Sequence, residues 1–410
     1  MMREADALSL LMTERTGYSL SRACYTDSGL FRIEMERIFG REWLFAAPAC
    51  EIAGAGDFVT LQIGDWGVIV VRGADGAIRA FHNSCRHRGS RLCSVRRGSN
   101  PKLVCPYHQW TYELDGRLLW ARDMGPDFDP ARHGLHPVHC REAGGLVFIC
   151  LADTPPAFDA FGEQVARYLA PHRLADARIA HESTIVENGN WKLVIENNRE
   201  CYHCAGSHPS LCRTYSDDPL ITGSGGEMPA AVSEHWVRCE AAGLPSTFVL
   251  GPDAGWRLAR MPLMGRAESF TMDGQVAVKR PLGEVPIRDA GTLLLFHYPN
   301  TWNHFLSDHA VVFRVTPLTP TTTEVTTKWL VHKDAVEGVD YDLKRLTEVW
   351  THTNDEDRRV VEENQIGINS PAYVPGPYSA VQEAGVMQFL DWYRETMLRG
   401  LTGRGLVAAE

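Results

Sequence analysis

Hydrophobic positions along the chain change period more than once, and each change marks a different kind of element. In "LFRIEMERIFGREWLF" (30–45), Phe31, Ile33, Met35, Ile38 and Phe39 approximate one helical face and predict an amphipathic helix. From Asp57 the text turns to short β-rich runs, "FVTLQIGDWGVIVVRGADGAIRAFHNSC", with Gly64-Asp65 and Asp75-Gly76 marking hairpins. This all-β character lasts to about Leu151, where the proline-containing loop "ADTPPAFDAF" begins. Helical text follows from Asn190 to Cys204, then a loop-rich middle from about Leu211 to Gly251. Three strand candidates come next, "TLLLFHYP", "AVVFRVTPL" and "TEVTTKWLVHK", whose close succession predicts antiparallel meandering. A helix over Tyr341 to Ile368 carries its apolar stripe on Leu343, Leu346, Val349, Trp350, Val360 and Val361. The expected organisation is α+β: an N-terminal helical segment (1–45), an all-β domain (46–155) and a mixed domain (156–410).

Composition narrows the function classes. A net charge of −10 over 410 residues argues against binding phosphate backbones, and the only arginine-rich run is Arg86 to Arg97. No stretch approaches the roughly 18 unbroken apolar residues of a membrane span. The N-terminal text lacks the basic-then-apolar order of a secretion signal, so a cytoplasmic protein is expected, with neither nucleic acid nor membrane as partner. In a reducing compartment, eleven scattered cysteines direct attention to metal or redox clusters rather than disulfides.

Two such clusters stand out. Cys85-x-His87 and Cys105-x2-His108 sit in turns after β-rich runs, so two loops can converge on one site. A structural zinc suits that donor set. So does a [2Fe-2S] centre in which two thiolates hold one iron and two imidazoles the other, raising its potential above that of an all-cysteine cluster. The following text, "WTYELDGRLLWA", is a β-hairpin rather than the histidine-bearing helix of a zinc finger. Together, "CRHRGSRL" and "CPYHQWTYELDGR" resemble the two cluster loops of the Rieske family. That resemblance implies that Cys85 and Cys105 hold the inner iron, and His87 and His108 the outer one. Cys93 matches neither motif.

The second cluster is "ENNRECYHCAGSHP" (196–209). His203 and His208, five apart, point about 140° away from each other on an ideal helix, so the backbone must loosen after His203 for both to reach one metal. "AGSHP" supplies a helix end there, and two unconnected histidines remain the alternative. Rieske oxygenases carry a similar motif downstream of the cluster domain: an acid, then histidines three and eight positions on. By that resemblance the fold is a Rieske domain followed by a helix-grip-type catalytic domain, with a long antiparallel sheet and a C-terminal helix; the N-terminal segment packs on the catalytic domain. His203 and His208 then hold a mononuclear Fe(II) with Asp357, from "EDRRVVEENQIGI", as third ligand. Such a facial triad leaves positions open for O2 and substrate. On composition alone Asp355, Glu356 and Glu363 compete with Asp357. The resemblance further implies that Glu200 bridges electron transfer from one subunit to the next within a homotrimer. Cys201 and Cys204 are expected to be buried free thiols.

Longer runs, including "FHNSCRHRGSRLC", "ENNRECYHC" and "KWLVHKDAVEGVDYDLKRL", resemble stachydrine demethylases and glycine betaine monooxygenases. The implied reaction is oxidative N-demethylation of a betaine, stachydrine ahead of glycine betaine, with release of formaldehyde. Other substrates (choline, carnitine, an aromatic compound) and a non-catalytic electron carrier are the alternatives. No convincing dinucleotide-binding glycine motif is present, so NAD(P)H electrons are expected through a separate reductase protein with flavin and iron–sulfur groups. A quaternary ammonium has no N–H to donate and needs aromatic faces. Phe296, His297, Tyr298, Trp302 and Phe305 are the pocket candidates.

Overall fold

The structure is a computed structural model that describes residues 2–218 and 228–403. Its contacts divide the chain into two units, Phe39–Ala166 and Met1–Ile38 with Arg167–Glu410. Leu44–Pro48, across the expected start of the all-β domain, is a strand of the first of these units.

The β unit holds β1 (Leu44–Pro48), β2 (Asp57–Ile63), β3 (Trp66–Arg72), β4 (Ile78–His82), β5 (Arg97–Ser99), β6 (Leu103–Val104), β7 (Thr111–Tyr112), β8 (Leu118–Trp120), β9 (Pro137–Ala143) and β10 (Leu146–Cys150). Seven of them form an antiparallel sheet in the order β1-β10-β9-β4-β3-β2-β5, and β6-β7-β8 make a small second sheet. Turns at Gly64-Asp65 and around Asp75-Gly76 close the β2–β3 and β3–β4 hairpins, as the pattern predicts. Phe58, Ile69, Val71 and Phe81 meet Trp110, Tyr112 and Leu118 in one apolar core.

The larger unit is built on a seven-stranded antiparallel sheet, β11-β17-β16-β15-β14-β13-β12. Its strands are β11 (Ala177–Glu187), β12 (Val249–Leu250), β13 (Trp256–Met261), β14 (Thr292–His297), β15 (Thr301–Phe305), β16 (Ala310–Thr319) and β17 (Thr322–His332). The three expected strands are β14, β16 and β17. β13 escapes pattern reading because its text, "WRLARM", carries two arginines that are nonetheless buried, Arg257 and Arg260. The long helix Leu343–Asn369 starts at an Asp342 cap whose side chain accepts from the Arg345 N–H, and it packs against β11 and the helix Trp191–Asn198. The expected loop-rich middle contains a helix, Ala230–Ala241, and its residues 219–227 lie outside the described ones.

Buried charge ties the N-terminal segment to this unit. The helix Ser28–Glu34 places Glu34 against Lys192 at 2.5 Å, with Trp191 Nε1 and the Tyr393 hydroxyl donating to the same carboxylate. A charge buried this deeply is tolerated because its partner and both remaining donors are in place. Among the described residues no helix is long and apolar enough to cross a membrane.

Candidate active site

In the β unit the two Cys/His loops are built alike. The Cys85 N–H donates to the Ser90 carbonyl and the Gly89 N–H to the Cys85 carbonyl; likewise Cys105 to Trp110 and Gln109 to Cys105. Each loop turns through a left-handed residue, Gly89 (φ 76°) and Gln109 (φ 61°), the second at a conformational cost of about 1 kcal/mol for a side chain with a Cβ. Asn83 braces the first loop, accepting from the Leu92 and Cys93 N–H groups and donating to the Cys93 carbonyl. Cys93 is therefore a backbone anchor, buried in the apolar core that also holds Cys85 and Cys105.

Cys85 and Cys105 are buried, whereas His87 is exposed and His108 half-buried. The Tyr112 hydroxyl sits 3.3 Å from Cys85 Sγ and accepts from the Arg86 N–H. The His87 and His108 rings are 4.7 Å apart, His87 lying flat on Trp110 and Tyr107 on His108. His108 Nδ1 is buried with no hydrogen-bond partner. Two thiols inside, two imidazoles outside and an orphaned ring nitrogen fit a cluster held in the Rieske manner.

In the larger unit the histidine stretch departs from the expected helix. The helix Trp191–Asn198 ends before the motif, and Cys204–Ser207 forms a separate single turn with His203 at its start and His208 at its end. The loosening therefore precedes His203 as well as following it, and this is how histidines five apart converge. His203 Nε2 and His208 Nε2 are 3.0 Å apart; Asp357 Oδ1, from the long helix, lies 3.4 Å and 2.9 Å from them. Ligands about 2.1 Å from a common ion at right angles stand roughly 3 Å apart, which is this spacing. Asp357 Oδ1 is buried and accepts no hydrogen bond, as expected of an oxygen whose partner is a cation.

The outer nitrogens are also arranged. His203 Nδ1 meets Glu200 Oε1 at 2.6 Å and His208 Nδ1 meets Glu356 Oε2 at 2.9 Å, so each carboxylate takes a ring proton and leaves Nε2 free to bind metal. Burial depresses the His203 imidazolium, but Asp357 and Glu200 outweigh it and raise its pKa to about 9; Asp357, despite burial, is held low by the two imidazoles. Glu356, a competitor for the ligand role on composition, instead orients His208. Asp355 is paired with Arg358. Cys204 Sγ also lies near the two histidines, but it is bonded to Cys201 in a disulfide and offers no thiolate. That bond corrects the expectation of two free thiols: the turn brings their Cα atoms to 4.9 Å.

The donor atoms open onto a cavity lined also by Arg199, Tyr215, Arg257, Phe296, His304 and Trp350. Of the five pocket candidates only Phe296 lines it. Antiparallel register explains part of this, since Arg257 stands opposite Phe296, and Leu294 opposite His304, on one sheet face, while His297 and Phe305 belong to the other; Trp302 shares the face of Phe296. Tyr298 packs on Phe389 and Trp392, and Trp302 stacks on Phe313. His304, against Trp350 at 4.6 Å, is pushed down to about 3 by burial and is neutral. Arg199, Arg257, Tyr215, His304 and Trp350 were not among the candidates; only Trp350, beside Val349 in the helical stripe, carried a signal, and it read as core.

Comparison with known proteins agrees with this division of labour. A model of the Rieske [2Fe-2S] domain matches residues 42–138, and one of the ring hydroxylating alpha subunit (catalytic domain) matches 174–399. The glycine betaine monooxygenase oxygenase subunit of Chromohalobacter salexigens is 52% identical over 403 residues, covering 97% of this chain and 90% of the relative. That of Pseudomonas aeruginosa (strain UCBPP-PA14) is 51% identical over 408 residues, covering 97% and 93%. In fold the chain is similar to a quaternary ammonium Rieske monooxygenase solved with L-carnitine (TM-score 0.70, 22% identity, 95% of this chain and 98% of that one). It is also similar to naphthalene 1,2-dioxygenase from Rhodococcus sp. (TM-score 0.69, 19% identity, 97% of each). The zinc and electron-carrier alternatives both lack a catalytic half, and this chain has one: it belongs to the Rieske non-heme iron oxygenases, with a [2Fe-2S] domain and a catalytic iron domain.

Proposed function

We propose that the chain is the oxygenase component of a monooxygenase that removes an N-methyl group from a quaternary ammonium betaine. The observation that carries this reading is a single cavity lined by the converging His203, His208 and Asp357 and by the aromatic side chains of Tyr215, Phe296 and Trp350. Relatives at about half identity over almost the whole chain, named for glycine betaine, support it. They bring glycine betaine forward; stachydrine, the first expectation from the sequence, belongs to the same test.

In this reading Cys85, Cys105, His87 and His108 hold the [2Fe-2S] cluster, and His203, His208 and Asp357 hold Fe(II). When bound, the cluster supplies single electrons and the ferrous ion the activation of O2 for insertion into an N-methyl C–H bond. The residues of the chain do the rest. Glu200 and Glu356 fix the two imidazoles through their Nδ1 protons. Tyr215, Trp350 and neutral His304 present ring faces to the ammonium, each contact worth ~2 kcal/mol once water is excluded. The hydroxylated methyl is a carbinolamine. It falls apart to formaldehyde, a proton and the demethylated amine. Electrons come from NAD(P)H through a reductase protein. Glu200, bonded to His203, is suited to carry them from His108 of the partner subunit in a homotrimer, and one similar solved fold is described for inter-subunit electron transfer.

The test is formaldehyde release by the iron-loaded protein with a reductase and NADH, across glycine betaine, stachydrine, choline and carnitine. One formaldehyde per O2 consumed with a betaine is expected. Betaines that yield none, or a colourless protein containing zinc, would sink the reading.

A further inference from the structure

We infer that Cys201 and Cys204 form a redox switch on the mononuclear metal site, in which reduction frees the Cys204 thiolate to join His203, His208 and Asp357 as a fourth donor and turns an iron site into a zinc site. The inference rests on the assignment of those three residues to a metal and is independent of the substrate.

The pair straddles a ligand. His203 lies between Cys201 and Cys204 in the chain, and the Cys204 N–H donates to the Cys201 carbonyl at 3.1 Å, a turn that holds the two Cα atoms 4.9 Å apart. The Cys204 carbonyl accepts from the His208 N–H at 2.8 Å, so Cys204 is fastened to both imidazole-bearing residues. Both cysteines are buried, and both line the cavity onto which the donor atoms open. Cys204 Sγ and one ring nitrogen each of His203 and His208 all lie within 4.8 Å of one another. Two donors on opposite sides of one ion, with bonds of about 2.1 and 2.3 Å, stand at most about 4.4 Å apart. A small rotation of the Cys204 side chain, free once Cys201 releases it, is therefore enough to bring its sulfur to the metal. Nine other cysteines among the described residues are free, so the disulfide found there sits at the one place where sulfur could reach this metal.

Affinity at a site of nitrogen, oxygen or sulfur donors is higher for Zn2+ than for Fe2+, so a site that needs iron must keep zinc out by geometry and ligand type. Two imidazoles and a carboxylate with open positions suit Fe(II). Two imidazoles, a carboxylate and a thiolate close a tetrahedron, the arrangement zinc takes in closed sites. The disulfide removes that fourth donor, because its sulfur carries no charge and is held by Cys201. A dithiol reductant transfers two electrons and two protons to the Cys201–Cys204 bond, giving two thiols while the reductant becomes a disulfide. Metal binding then replaces the Cys204 proton with a metal–sulfur bond and releases that proton to solvent. The sulfur occupies a position otherwise open to O2. Hydrogen peroxide reverses the change, the two thiols becoming the disulfide as H2O2 becomes two waters.

The experiment uses the full chain with its cluster in place and its mononuclear metal removed, either air-oxidised or reduced with dithiothreitol and desalted anaerobically. Alkylation followed by mass analysis is expected to label Cys201 and Cys204 only after reduction. Zn2+ affinity, measured by competition with a chromophoric chelator, should rise at least about tenfold on reduction, the low end of what even an outer-shell partner contributes to metal binding. Co2+, used as a spectroscopic probe, should give sulfur-to-metal charge-transfer absorption in the reduced state alone, read as a difference from the metal-free protein. Cys201→Ser leaves Cys204 unpaired and should show tight zinc binding and the cobalt band without reductant. Cys204→Ser should show neither in either state, while still binding Co2+. Labelling of both cysteines in the air-oxidised protein, equal zinc affinity in the two states, or a cobalt band that survives Cys204→Ser overturns the switch. Co2+ bound as well by Asp357→Ala as by the wild type overturns the metal assignment, and the switch with it. Co2+ binding that is lost in Asp357→Ala but indifferent to reduction overturns the switch and leaves the metal assignment intact. If a cysteine variant does not fold, the oxidised and reduced wild type decide the matter by zinc affinity and the cobalt band.

Discussion

Three atoms from two separate stretches of chain, His203 Nε2, His208 Nε2 and Asp357 Oδ1, converge on one point. Asp357 Oδ1 lies about 150 residues along the chain from the histidines it meets; it accepts no hydrogen bond and stands at distances from them suited to a shared cation. Asp357→Ala is therefore expected to abolish turnover and mononuclear iron binding while keeping the visible spectrum of the cluster, because Cys85, His87, Cys105 and His108 lie in the other unit. Iron analysis beside an absorption spectrum checks it; loss of the cluster signal would count against the assignment. The candidate residues were named from the sequence, and the structure brings His203, His208 and Asp357 together. Ligand chemistry demands particular side chains at particular spacings, and substitutes are few. The lining of the cavity was not legible in the same way. Aromatic residues serve packing far more often than recognition, so Tyr298, Trp302 and Phe305 looked as suitable as Phe296 until register put Phe305 on the other face and packing claimed Tyr298 and Trp302.

Elements set the precision with which those side chains meet. The C-terminal helix Ala384–Thr402 packs against the helix Trp191–Asn198, and Gly385 is the point of closest approach to Arg199: a Cβ there would overlap the Arg199 carbonyl oxygen. Gly385→Ala is expected to lower stability by roughly 1–3 kcal/mol, the usual penalty for overpacking, and to weaken betaine binding by displacing the Arg199 backbone. Thermal denaturation and a binding titration test the two effects separately. Strands with clean alternation and helices with a long stripe were readable from the pattern, as β14, β16, β17 and Leu343–Asn369 illustrate. β13 was hidden, because burying Arg257 and Arg260 is a tertiary decision that no local periodicity records. The helix Ala230–Ala241 was hidden too, its weak apolar stripe of Val232, His235 and Cys239 being too sparse to stand out.

At the scale of the whole molecule, buried acids make stability depend on pH. Glu196 accepts from the Tyr25 and Tyr378 hydroxyls, joining the N-terminal segment to the C-terminal part of the larger unit. Burial raises its pKa to about 7, against the tyrosine hydrogen bonds, from an ordinary 4.5. The folded state thus favours the protonated acid: this contribution is complete below about pH 4.5 and is lost as pH rises through 7. Glu196→Gln, which cannot ionise, is expected to be more stable than the wild type at pH 8, by at most roughly 3 kcal/mol, with little difference at pH 4.5. Urea unfolding at the two pH values decides it. Glu200 belongs to this scale as well, if its proposed partner is a second subunit. Glu200→Gln should keep both metals but slow single-turnover oxidation of the cluster by at least about tenfold, and an unchanged rate would reject the bridge.

By itself the sequence determined the family and named the candidate donors. Metal chemistry restricts residue type and local spacing, and both are visible along the chain in "CRH", "CPYH" and "ECYHCAGSH". Only the tertiary structure decided how histidines at an unhelical spacing come to face one point, which acid joins them, and which acid orients them instead. It also decided that the pocket is made of Arg199, Arg257, Tyr215, His304 and Trp350. These depend on strand register and on helices from distant segments converging, and a cavity is defined by what surrounds it in space rather than by neighbours in the chain.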